Sequence, residues 1–293
     1  GIPAPASVPL AAASGLPSPW QPPQTPFNPQ SRSKCRSVVD ALIRKDPNEW
    51  YLHSPAGVAN YDTYVSHPMW HSEIKSNLNA KGYPLVEDFL RDARRVAGNA
   101  LRYRLGSDDI ERDLAPQIWD VATELLDTIE ERVIGRGLTD WPLASEWREC
   151  LQLLDALMQV KEGGGQALGQ ALCYSPKVSF GGEVPDDYRE LCGKPLTFAM
   201  LISELVEGRI RHAGAFVSGL ASVLLKCRRY WSVAGHKNAK LVSQAARLQK
   251  QLELEVPRRL PAYMAALAAA SKDWTPESAA VAVETARGAG VMT

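Results

Sequence analysis

The feature that most restricts this chain is an internal repeat: from Tyr61 to Tyr103 the first part of the sequence matches a later part, without a gap, at an offset of 127 residues. Tyr61 meets Tyr188, Pro68 meets Pro195, Leu78 meets Leu205, Phe89 meets Phe216, Val96 meets Val223, Arg102 meets Arg229 and Tyr103 meets Tyr230. Between these identities apolar falls on apolar: Met69 on Leu196, Ile74 on Leu201, Leu90 on Val217, Ala100 on Cys227. Amphipathic helices align easily by chance, but paired Tyr and Pro ahead of them do not, so the pattern points to one helical unit present twice.

Apolar residues recur at three- and four-residue steps from Ser33 onward, the helical period, and two-residue alternation is missing. Val38, Val39, Leu42 and Ile43 begin a helix that should stop near Asp46-Pro47, because proline disfavours helical geometry in the residue before it. A loop then runs through Trp50, Pro55 and Gly57 to about Tyr64. Ile74 and Leu78 mark a short second helix ending near Gly82, and Pro84 starts a third with Leu85, Phe89, Val96 and Leu101. Ser107-Asp108-Asp109 supplies an N-cap and first-turn charge for a fourth helix through Leu114, Ile118, Val121, Leu125 and Ile129, with a kink expected at Pro116.

Gly135, Gly137 and Trp141-Pro142 break this pattern. A helix from about Leu143 to Val160 follows, then a loop holding Gly163, Gly164 and Gly165, then helical patterning near Leu196, His212 and Asn238 and an Ala-rich helical tail after Pro257. The expected organisation is a Pro-rich extended leader at 1–32, a first bundle at 33–135, a linker at 136–144, a second bundle at 145–256 and a helical C-terminal extension at 257–293.

The 33 basic and 33 acidic residues cancel, so the chain lacks the bulk field that drives sequence-blind nucleic-acid binding; DNA contact should be weak and rest on Arg94, Arg95, Arg102, Arg104, Lys226, Arg228 and Arg229. Five cysteines, odd in number and without a CxxC pair, argue for reduced thiols over a disulfide framework or zinc ribbon. The leader's apolar stretch Val8-Pro9-Leu10-Ala11-Ala12-Ala13 lacks a basic segment before it and does not read as a signal peptide, and no apolar run is long enough to span a membrane. His67 and His71 have a metal-pair step but no third ligand. The three glycines lack the Lys-Ser/Thr of a phosphate loop, and Asp186-Asp187 fits a turn. No catalytic residue, metal site or cofactor is expected, and the chain reads as a recognition protein and not an enzyme.

The stretch Tyr61-Asp-Thr-Tyr-Val-Ser-His-Pro-Met69, a short helix, a break and a helix ending Asn99-Ala-Leu-Arg-Tyr-Arg104 resembles the bromodomain family. So does Val184-Pro-Asp-Asp-Tyr-Arg-Glu-Leu-Cys-Gly-Lys-Pro-Leu196 with the helix ending Cys227-Arg-Arg-Tyr-Trp231. The resemblance implies an all-α protein of two left-handed four-helix bundles in tandem plus the tail, each with a pocket for acetyl-lysine. Carried over by position, the first pocket would be Pro55, Val58, Tyr61, Ala100, Tyr103, Arg104 and Ile110. The second would be Pro176, Val178, Tyr188, Cys227, Tyr230 and Trp231, with Lys237 facing Ile110's place.

Arg104 and Trp231 stand where the family has the asparagine that donates to the acetyl carbonyl, and losing such a donor typically costs about 1–3 kcal/mol. Arg104 keeps donors that could reach the carbonyl; it equally fits a helix-end cation. Trp231 puts one N–H on a space-filling ring, so the second pocket should be closed or reshaped. The implied partners are acetylated histone tails or other acetylated proteins and subunits of chromatin complexes, in the nucleus, with no membrane. The alternative is a pseudo-bromodomain scaffold that no longer binds acetyl-lysine. Divergence in both units implies an early-branching eukaryotic source, such as a kinetoplastid.

Overall fold

The computed structural model describes residues 22–46, 48–58, 61–106, 114–161, 168–169, 184–233 and 238–271. The first half holds α1 (Pro29–Lys45), α2 (Tyr61–Tyr64), α3 (His71–Asn79), α4 (Val86–Gly106) and α5 (Leu114–Ile129), which a π-helical turn, Glu130–Ile134, prolongs. The second holds α6 (Trp147–Met158), α7 (Asp186–Cys192), α8 (Phe198–Val206), α9 (Ala213–Ser232) and α10 (Ala239–Arg259). A 3-10 turn, Pro261–Tyr263, then leads into α11 (Met264–Ser271). Among the described residues there is no strand, only an isolated bridge between Pro26 and Leu85, so the fold is all-α as expected.

Helix starts reproduce the sequence offset. His71 and Phe198 each open a nine-residue helix, and Val86 and Ala213 each open a long one, so both pairs of starts stand 127 apart. In the first half α1 packs on α3 and α5, and α4 packs on α5; in the second α9 packs on α10 and α7, and α10 on α6. Each half is thus four main helices in the same order plus one short helix ahead of the second.

The two halves share one hydrophobic core running from Cys35 to Leu267. They meet where α8 crosses α4. Position 98 is glycine because a Cβ there would stand 2.5 Å from Val206 Cγ2, and the repeat breaks at this point, with Leu225 in the matching position. Arg95 Nε donates to Glu207 Oε1 at 3.3 Å beside it.

Within 136–144, Leu138, Thr139, Trp141, Leu143 and Ala144 are buried, whereas Arg136, Gly137 and Asp140 are exposed. Trp141 is 1% exposed and its indole N–H donates to Gly208 O at 3.2 Å. Gly208 has φ 72° and its missing Cβ would fall 2.7 Å from that indole nitrogen, so conformation and space both require glycine. Arg94, fully buried, donates to Trp141 O at 2.7 Å and ion-pairs with Glu130, whose other oxygen accepts Leu143 N–H at 2.9 Å. Burial lowers the Arg94 pKa and the Glu130 carboxylate opposes the shift. A buried ion pair of this kind is tolerable only with such extra hydrogen bonds.

Three local expectations need correction. Helix α1 starts at Pro29, inside the stretch read as leader, because Asn28 and Ser31 form a reciprocal capping box ahead of it and proline suits the first helical position. The described leader residues are extended but packed: Phe27 N–H donates to Pro84 O, Val86 N–H to Thr25 O, and the Phe27 ring stacks on Tyr83. Pro116 lies exposed within α5, two residues after Leu114. At the other end α10 runs through Pro257 to Arg259, within a turn of its end. The Ser107-Asp108-Asp109 cap and the triple-glycine loop lie outside the described residues.

Candidate functional site

A concavity of about 390 Å³ opens between the loop after α1 and the start of α3, lined by Ser54, Pro55, Ala56, Val58, Tyr61, Asp62, Pro68 and Trp70. Its size falls in the usual small-ligand range of roughly 300–1,000 Å³. The loop is fixed at both ends. Asp46, 4% exposed at the end of α1, accepts Trp50 N–H at 2.9 Å and Tyr51 N–H at 2.7 Å. The carbonyls of Tyr51 and Leu52 then accept the first N–H groups of α3, from His71 at 2.8 Å and Ser72 at 3.0 Å. Those N–H groups have no partner within the helix, so the loop carbonyls satisfy them. From α4, buried Asn99 donates to His67 O at 2.9 Å and ties down the segment between α2 and α3.

Three of the expected first-site residues, Pro55, Val58 and Tyr61, line this cavity. Tyr103 joins them through its ring, whose centroid is 5.4 Å from Tyr61 and 5.8 Å from Tyr64. Burial pushes the Tyr61 phenol up to about 12, against the pull of nearby Arg102, so its hydroxyl stays a protonated donor at neutral pH. Ala100 is buried in the bundle core one turn before Tyr103. Ile110 lies outside the described residues. Beyond Ser54 and Ala56, the expected set leaves out Asp62, Pro68 and Trp70 as lining residues. The signal was at hand, because all three sit in or beside the Tyr-to-Pro-Met stretch.

Arg104 is the correction at this site. Its Nη1 ion-pairs with Asp155 of α6 at 2.7 Å and its guanidinium lies over the Trp119 ring of α5, 5.0 Å from the centroid. The side chain is 9% exposed and spent on the junction between the halves. Among the side chains that line the cavity, Tyr61 and Trp70 carry O–H or N–H groups able to donate.

In the matching place of the second half the Tyr188 and Tyr230 rings lie 5.0 Å apart, more steeply tilted than Tyr61 and Tyr103, and Trp231 packs edge-on against Tyr230, also at 5.0 Å. With Val184, Leu191, Cys192 and Val233 these rings form a small cluster of their own. Tyr230 is 1% exposed, its hydroxyl donating to Asp187 at 3.4 Å. Burial raises both phenols, Tyr230 to about 12. Cys227 is buried on α9; Pro176, Val178 and Lys237 lie outside the described residues.

A larger concavity of about 520 Å³ lies between α1 and α5, lined by Arg44, Lys45, Glu124, Asp127, Glu131 and Arg132 among others. Lys45 pairs there with Glu124 and Asp127 with Arg148, and none of the expected site residues reaches it. Exposed His67 faces Ser66 while His71 is fully buried, so the two do not form a metal pair. Among the described residues no three His, Cys, Asp or Glu side chains could hold a metal, and no helix is long and apolar enough to cross a membrane. Cys35, Cys150, Cys192 and Cys227 are free and buried; Cys173 is outside the described residues.

Residues 35–113 match the model of the bromodomain family. Over 112 residues, 37% of this chain, the sequence is 23% identical to an ankyrin repeat, bromo and BTB domain-containing protein of Dictyostelium discoideum, and the match spans 13% of that protein's length. Among solved structures, a bromodomain from Trypanosoma brucei is 24% identical with a TM-score of 0.31, covering 36% of this chain and 96% of its own. The acetylated Rsc4 tandem bromodomain is 17% identical with a TM-score of 0.29, covering 83% of this chain and 87% of its own.

Proposed function

We propose that this chain is a chromatin-associated reader of acetylated lysine, in histone tails or other acetylated proteins, acting in the nucleus through the cavity of its first helical set. We take the two sets as duplicated units at 33–135 and 145–256. The observation that carries the reading is the cavity bounded by Pro55, Val58 and Tyr61, with Tyr103 stacked behind Tyr61, inside the segment that matches the bromodomain family. Acetylation removes the lysine charge, so a reader must accept a methyl group against apolar walls and donate to one carbonyl oxygen. Pro55, Val58 and the tyrosine rings meet the first need. The Tyr61 hydroxyl, directly or through a water, meets the second. With Arg104 committed to Asp155, one donor is lost, and affinity should fall about tenfold to a hundredfold below that of a pocket with both.

The test is titration of the whole chain with acetylated and unmodified histone-tail peptides, followed by NMR or calorimetry. Binding of the acetylated peptide alone, abolished by Tyr61→Ala in a still-folded protein, is the expected result. If acetylated and unmodified peptides cannot be told apart at about millimolar concentration, affinity is weaker than roughly −4 kcal/mol and the reading fails. A second reading, a scaffold subunit whose bundles hold partner proteins together, is favoured by two observations. Arg104 serves as a strut, and Tyr188, Tyr230 and Trp231 pack on one another.

A further inference from the structure

The end of α4 carries Tyr103 and Arg104 side by side, and they face different tasks. Tyr103 stacks on Tyr61 and Tyr64 at the cavity; Arg104, two residues before the last residue of α4, reaches away to Asp155 on α6 and the Trp119 ring on α5. The final turn of a helix has carbonyls without internal partners and opens most readily, so its geometry depends on what its side chains hold. Here the ion-pair partner, Asp155, comes from the other half of the molecule. The same half grips α4 further up, through Glu207 on Arg95 and Val206 against Gly98.

We propose that Asp155 is a positioning residue for the first cavity: by ion-pairing Arg104 it keeps the last turn of α4 closed and the Tyr103 ring against Tyr61. The ligand part of this rests on the acetyl-lysine reading above; the positioning of the tyrosines does not. The second half therefore contributes to ligand affinity without touching ligand. Arg102, in the same turn, strengthens the link, because its charge is felt by both Glu207 and Tyr61.

The experiment uses the whole chain and the variants Asp155→Asn, Asp155→Glu and the charge swap R104E/D155R. Ring signals of Tyr61 and Tyr103, assigned with Tyr→Phe variants, are followed by NMR, and affinity for an acetylated histone-tail peptide is measured beside them. D155N should move both ring signals and weaken the peptide by about fivefold, the size expected of one half-buried ion pair. D155E and the charge swap should keep both near wild type. A purely structural aspartate would lower the melting temperature and leave the ring signals in place, and that result overturns the proposal. If no protein binds the peptide, the acetyl-lysine reading falls alone. The ring signals then decide: movement in D155N that the swap reverses upholds the positioning role, and its absence ends it.

Discussion

Two tyrosine pairs occupy matching places in the two halves, and nearly the same ring spacing has different consequences in each. Tyr61 and Tyr103, 5.4 Å apart, stand beside an open cavity, with Tyr61 in its wall; Tyr188 and Tyr230, 5.0 Å apart, are buried in a cluster. The residue after the second tyrosine differs between them. Arg104 carries a charge that cannot remain unpaired in an apolar wall, so it turns to Asp155 and leaves the cavity free. Trp231 has no such demand and packs on its neighbours.

The largest expected effect separates wall from core. Tyr230→Ala should destabilise the protein by about 3–5 kcal/mol, as truncation of a fully buried aromatic does, whereas Tyr103→Ala should cost markedly less and act chiefly on peptide binding. Urea unfolding of both variants checks this, and equal losses would dissolve the distinction between the pairs.

A second difference lies at the start of α3 and α8, where the repeat sets His71 against Phe198, both 0% exposed. Neither His71 ring nitrogen has a hydrogen-bond partner, and burial lowers its pKa to about 4. The folded state therefore takes up the proton less readily than the unfolded chain, whose histidine titrates near 6.5. The stability due to neutral His71 is complete above about pH 6.5 and is lost as pH falls through 4, by about 3 kcal/mol in all. Melting curves between these pH values should show that loss for wild type and a flatter profile for His71→Phe. An unchanged slope in the variant would place the acid sensitivity elsewhere.

The smallest effect concerns Trp231→Asn, which puts the family's donor where the ring now packs. We expect it to give the second half weak binding of acetylated peptide, at about the millimolar level, seen as shifts of the Tyr188 and Tyr230 signals. Silence at those signals would mean that the cluster stays closed without the indole.

Much of this was legible in the sequence because it is local. The offset of 127 returned in the starts of α3 and α8 and of α4 and α9 because apolar period and helix boundaries sit within one helix. Pro55, Val58 and Tyr61 reached the cavity because their spacing fixes a short loop. What escaped is long-range. Nothing near Arg104 announces Asp155, 51 residues on and in the other half. The burial of Trp141 depends on Gly208 and Arg94, so a stretch with the turn residues of a linker became part of the core. The start of α1 was hidden by composition: a capping box among prolines reads as more leader.

Glu87 gives the first bundle a mechanical property. Fully buried, its carboxylate accepts Thr25 N–H at 2.9 Å, the Thr25 hydroxyl at 2.7 Å and the hydroxyl of Thr139. The chain enters and leaves the bundle at those two threonines, so one side chain clasps the neck of a loop that contains all of α1 to α5. Pulling the two threonines apart has to break the hydrogen bonds that Glu87 accepts from them, ahead of the packing between the helices.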